Sequence, residues 1–183
     1  MMRWTAFLAT VATVSCAGRG TGPSPVRPQI ATTSWCRYHD GSVRAILDTL
    51  ADFRPRPGFD LLTSGDQFPT RATVVYTGAS RQLTPQIRAF FTVFFRVLYR
   101  TTDSLRYQHE ERFGENGVDY WLPVQEPLIA EMGQELTSGD SVTIFALYHG
   151  TYTAPDSTNT RVLGVTEFES RHREWFTKAC GGP

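Results

Sequence analysis

Apolar residues recur at helical spacing in three places and at strand spacing between them. Val43, Ile46, Leu47 and Leu50 fall on one face after Ser42, whose hydroxyl suits an N-cap, and Arg54-Pro55 ends the run. The spacing predicts a short amphipathic helix over residues 43–53. Thr84-Pro85 opens a second, far more apolar helix, with Ile87, Phe90, Phe91, Phe94, Phe95, Val97 and Leu98 around most of its circumference. Arg88, Thr92, Arg96 and Arg100 form its narrow polar stripe. Such a helix needs cover, either as a core helix with its arginines at the rim or as an interfacial helix on a membrane or in a partner's groove. The interfacial alternative requires Phe90, Phe94 and Val97 to be exposed together. A third helix is predicted over residues 127–136, with Leu128, Ile129, Met132 and Leu136 inward and Glu131 and Glu135 outward.

Period-two patterning fills the intervals. Residues 59–77 read as a strand pair turning at Ser64-Gly65-Asp66, and residues 106–124 as a hairpin whose Asn116-Gly117 supplies the positive φ angles of a two-residue turn. A regular register places Phe113 opposite Tyr120 and Arg112 opposite Trp121, the latter a cation over an aromatic ring. Phe113, Val118, Tyr120, Leu122 and Val124 then share a core face with His109 and Glu111. Residues 142–153 and 161–169 are two long strands around a polar loop, 154–160. The first is apolar on both faces, as a central or barrel strand is. The resulting class is α+β: a small, partly open antiparallel β-barrel or bent sheet, OB-like or SH3-like, with two or three packed helices.

The front of the chain follows other rules. Arg3 precedes an apolar segment, residues 4–14, that ends in small residues, the order of a secretory signal. As a helix it spans about 16 Å, roughly half a bilayer's hydrocarbon core, so it does not read as a transmembrane anchor. Thr13-Val14-Ser15-Cys16 resembles a bacterial lipoprotein box, which implies a lipid on Cys16 and, through it, attachment to a membrane; Ser15-Cys16-Ala17 also fits ordinary cleavage. Gly and Pro then interrupt every regular pattern up to Ser34. The expected organisation is a signal at 1–15, a tether at 16–34 and one globular domain at 35–183. In an exported chain Cys36 and Cys180, one at each end of that domain, pair as a disulfide.

Composition narrows the function. With 18 basic and 18 acidic residues the chain lacks the excess of positive charge that nucleic-acid binding draws on, and 40% hydrophobic residues exclude a wholly disordered chain. No dinucleotide, phosphate-loop, zinc-helix, nucleophile-elbow or Cys-x-x-Cys motif occurs, so no cofactor or metal is assigned. His109 with Glu111 is the sharpest chemical pair, an imidazole and a carboxylate on one strand face, with His149 a third candidate if the strands pair. Trp121, Arg112, Tyr148 and Tyr152, with Tyr120, are the candidate binding residues, because flat exposed rings stack on sugars.

The tract from Tyr120 to Gln125, Tyr-Trp-Leu-Pro-Val-Gln, followed by an acidic helix and a closing Glu-Phe strand, resembles secreted bacterial proteins over residues 106–169. That resemblance implies export and brings no activity with it. The expectation is an exported, lipid-anchored envelope binding or assembly module whose partner is an envelope protein or glycan. The alternative is a small envelope hydrolase or metal-dependent enzyme using His109 and Glu111.

Overall fold

The computed structural model describes residues 36–56, 60–101, 106–154, 156–171, 176 and 180, without the side chains of residues 64–67. The expected signal, the tether and Cys16 lie outside the described residues. The described residues belong to one compact unit, residues 31–183. Its elements are β1 (His39–Gly41), α1 (Val43–Thr49), a 3-10 turn (Leu50–Asp52), β2 (Leu61–Gln82), α2 (Pro85–Leu98), β3 (Tyr107–Glu115), β4 (Val118–Gln125), α3 (Glu126–Glu135), β5 (Ser141–Thr153) and β6 (Asn159–Glu169). The class is mixed α+β.

Six strands form one sheet in the order β1-β2-β3-β4-β6-β5, and β5 pairs with β2 as well. The long β2 lies antiparallel to β5 from Leu61–Tyr152 to Val75–Ser141, and antiparallel to β3 from Val75–Gly114 to Gln82–His109. β1 runs parallel to it at Thr70–Ala72. β5 and β6 are antiparallel, and β4 meets β6 in parallel through the pair Val124–Val165.

The strand pair expected within residues 59–77 is corrected: β2 runs unbroken through Ser64-Gly65-Asp66. Register shifts between Thr63 and Gln67 and between Gln67 and Thr70, with Phe68 at φ 50°, absorb the turn-forming residues as bulges. β5 pairs with β2 on both sides of these residues, at Thr63 and at Gln67, so the chain has no need to fold back. Gly150 of β5 makes this possible. At φ 151° its Cα hydrogen faces the Leu62 carbonyl and the Phe90 ring, and a Cβ there would collide with both.

Local signals explain the other elements. The Ser42 hydroxyl accepts the Ala45 N–H at 2.9 Å, and the Glu115 carboxylate accepts the Val43 and Arg44 N–H groups at 2.9 and 3.0 Å, so the β3 end caps α1. The Thr84 hydroxyl caps α2 ahead of Pro85. Asn116 and Gly117 take φ 52° and 79° and close the β3–β4 hairpin, with Phe113 opposite Tyr120 and Arg112 opposite Trp121 as the pattern implies.

Three apolar clusters result. The main one joins Val74, Phe113, Val124, Ile144, Tyr148, Val165 and Phe168 of the sheet to Leu50, Leu128 and Met132. The second packs Ile87, Phe90, Phe91, Phe94 and Phe95 of α2 against Leu83, Tyr107 and Val162. Phe90 and Phe94 are buried, so the interfacial role that needed them exposed is overturned: the sheet covers these rings. The third cluster, Tyr38, Phe145, Leu147 and Phe176, sits on the opposite side of β5 from Ile144 and carries Cys180. Cys36 and Cys180 stand there in disulfide geometry, Cα atoms 5.3 Å apart and 144 residues apart in sequence.

Closing a loop that long removes unfolded-state entropy worth about 5 kcal/mol. Unfolding in denaturant will show Cys36→Ser/Cys180→Ser destabilised by roughly that amount. The prediction is wrong if the oxidised wild type and the variant share one midpoint.

Candidate functional site

Alternation along β2 turns Ala72, Val74 and Tyr76 into the core and leaves Arg71, Thr73 and Thr77 on the other face. Cross-strand pairing sets Thr73 beside Thr143, their hydroxyls 3.4 Å apart, and Thr143 beside Glu169. A cleft of about 370 Å³ opens on this face, walled by Asp40 of β1, Arg71 and Thr73 of β2, Ser141 and Thr143 of β5, and Glu169 and Arg171 at the end of β6. Its charges are held in place. Arg71 donates to Asp40 at 2.7 Å while its guanidinium lies 4.2 Å from the centre of the Phe176 ring, and Arg171 lies 3.8 Å from Asp140. The Phe176 amide donates to Glu169. The cleft therefore presents hydroxyls between two guanidinium–carboxylate pairs, which suits a polar, hydrogen-bonding ligand.

Further along β2, the Arg81 guanidinium lies 4.2 Å from the ring centre of Trp121 of β4, and that of Arg112 of β3 lies 5.8 Å from it. Arg81 donates to Glu110 at 2.7 Å, and Arg112 donates to the Thr77 hydroxyl at 3.2 Å. Burial pushes the Glu110 carboxyl above its ordinary range against the opposing pull of Arg81. Trp121 thus offers a guanidinium-covered ring in place of the bare sugar-stacking platform that the sequence implied.

The two tyrosine candidates are corrected. Tyr148 is fully buried among Phe53 and Phe68, and its hydroxyl meets that of Thr151 at 2.7 Å. Tyr152 is half-buried and packs on the α2 cluster. Both faces of β5 are covered, which leaves no exposed side for these rings.

His109 and Glu111 part company with His149. The His109 Nδ1 lies 3.0 Å from the Glu126 carboxylate at the start of α3, and the same oxygen accepts the Gln108 N–H at 2.9 Å. Glu111 is 1% exposed beside Tyr76, whose hydroxyl is 3.5 Å from Oε2, and among the described residues none stands within hydrogen-bond geometry of Oε1. Burial raises its carboxyl, with the Ser80 and Tyr76 hydroxyls and His109 acting the other way and Glu126 adding to the rise. His149 instead contacts the Phe91 and Phe94 rings, and its Nε2 lies 3.2 Å from the Tyr107 hydroxyl. Gly164 makes that approach possible, since a Cβ there would strike both groups. Among the described residues no three His, Cys, Asp or Glu side chains gather to hold a metal ion, so His149 does not complete a ligand set with the other two.

Sequence reasoning missed Arg81, Glu110, Glu126 and the cleft residues. One signal was available: the polar–apolar alternation Arg71-Ala72-Thr73-Val74 marks an outward polar row. No family profile matches the chain, and no curated protein or solved structure matches it.

Because the folded state raises the Glu111 carboxyl, it favours the protonated form, and the associated stability is present below the ordinary glutamate value of about 4.3 and lost as pH rises through the raised one. Glu111→Gln will match the wild type in Tm at pH 4 and exceed it at pH 7. A wild type more stable than the variant at pH 7 would mean the ionised carboxylate has a compensating partner.

Proposed function

We propose that this protein is an exported binding or assembly module of the cell envelope, tethered through a lipid on Cys16, that holds a polar ligand without transforming it. The observation that carries the binding part is the hydroxyl-lined cleft, whose two arginines each stand beside a carboxylate. Such a surface recognises hydroxyl and amide groups by geometry, with little reorganisation on binding. The Cys36–Cys180 pair supports export, since disulfides persist in oxidising compartments. The run of pairings from β2 through β3, β4, β6 and β5 back to β2 supports a partly open OB-like or SH3-like barrel, a framework that carries binding faces. The resemblance of the Tyr-Trp-Leu-Pro-Val-Gln tract to secreted bacterial proteins points the same way.

A second reading, an envelope hydrolase working through His109 and Glu111, draws on the buried Glu111 carboxyl beside an imidazole held by Glu126. It requires substrate to reach the half-buried His109 edge, away from the cleft.

Retention of the Cys16→Ser protein, which carries no acylation site, on isolated envelope fractions separates these readings. Thr73→Arg fills the cleft with bulk at an exposed position and leaves Tm unchanged, and it will lower retention at least about tenfold, equivalent to about 1.4 kcal/mol. His109→Ala will leave retention intact. Equal retention of wild type and cleft variant would sink the proposal.

A further inference from the structure

Charge is segregated along this neutral chain. Between Asp66 and Asp103 there is no acidic residue, whereas Arg71, Arg81, Arg88, Arg96 and Arg100 all fall in that interval. Arg71 and Arg81 are matched by Asp40 and Glu110. Arg88, Arg96 and Arg100 are exposed, and among the described residues none of them makes an ion pair. The helix that carries the first two buries its phenylalanines in the sheet, so its outer face is cationic with no ion-pair partner among the described residues.

The second observation is at the C-terminal end of that helix. The large apolar side chains of Val97, Leu98 and Tyr99 are 56, 41 and 47% exposed, three consecutive residues bracketed by Arg96 and Arg100. Arg100 has φ 51°, which turns the chain just after them. A short apolar tip ringed by unneutralised guanidinium groups has the chemistry of a lipid-surface contact: the tip enters the headgroup boundary and the arginines meet phosphate. The burial of Phe90 and Phe94 means the helix does not lie in the bilayer. It touches the bilayer with its tip and outer stripe.

We propose that the outer face of α2, from Arg88 to Arg100, docks on an anionic phospholipid bilayer. This contact is separate from acylation of Cys16 and from the cleft, and it stands or falls without them. Each arginine near an anionic surface contributes about fivefold in partitioning, so three contribute roughly 100-fold. Salt screens the attraction, because a Debye length shrinks from about 10 Å at 0.1 M to about 3 Å at 1 M.

The test is flotation of the full chain carrying Cys16→Ser, which removes the acylation site, with vesicles of phosphatidylcholine alone or of phosphatidylcholine mixed with anionic phosphatidylglycerol. The chain will bind the anionic vesicles far more tightly, and salt will abolish the difference. Arg88→Gln/Arg96→Gln/Arg100→Gln will lose roughly 100-fold on anionic vesicles, and Val97→Ser/Leu98→Ser will lose binding at unchanged charge. All these positions are exposed, so Tm stays as in the wild type. Arg54→Gln/Arg56→Gln removes two charges elsewhere and will bind as the unsubstituted chain does. Binding that is equal on both vesicle types reports the apolar N-terminal segment and overturns the proposal. Equal losses in the Arg54/Arg56 control and the α2 variant overturn it too, since they report net charge.

Discussion

The link between Cys36 and Cys180 holds the site to the fold. Cys180 packs on the cluster of Tyr38, Phe145, Leu147 and Phe176, and the edge of the Tyr38 ring meets Phe145 with centroids 5.3 Å apart. Phe176 comes from the chain segment leading to Cys180, and Tyr38 follows Cys36 by two residues. The link therefore clamps two aromatic residues from opposite chain ends over one face of β5. Arg71 lies on Phe176 and bonds to Asp40, so the clamp also sets one wall of the cleft. A chemical bond that depends on the oxidation state of the surroundings thus reaches the wall of the cleft through two rings and one guanidinium.

β2 transmits that order to the rest of the sheet. Its backbone serves β5 on one edge and β1 and β3 on the other, and strict alternation gives each side chain one of two environments. The inward row of Ala72, Val74 and Tyr76 joins the main core. The outward row passes from the cleft at Arg71 and Thr73, through Thr77, to the Arg81–Trp121–Arg112 stack. A slip of one residue would exchange these rows and destroy core and cleft together, and for that reason the register is well determined here.

Elements governed by local stereochemistry were legible in the sequence. Asn116-Gly117 demanded a hairpin, Thr84-Pro85 demanded a helix start, and only Cys36 and Cys180 remained to pair within the expected domain. The arginine stripe of α2 was likewise visible, because helical spacing alone puts Arg88, Thr92 and Arg96 on one side. Features that depend on which strand lies beside which were hidden. Ser64-Gly65-Asp66 looks like a turn until β5 supplies partners across it. The Glu126 that holds His109 is 17 residues away, on a helix. Arg81 covers Trp121 only because β2, β3 and β4 are neighbours, and Tyr148 is buried because both faces of β5 are covered. The pair His109 and Glu111 was found by period-two spacing, yet its environments differ: one reaches Glu126 at the surface edge and the other sinks beside Tyr76.

The account's central claim is that this domain does its work outside the reducing cytosol, where its two ends are tied. Mass spectrometry of the protein recovered from its native cells, alkylated before and after reduction, tests that claim directly. The account predicts a chain beginning at Cys16 with added lipid mass, and Cys36 and Cys180 blocked to alkylation until reduced. A chain that retains Met1 and takes up three alkyl groups without reduction would contradict it.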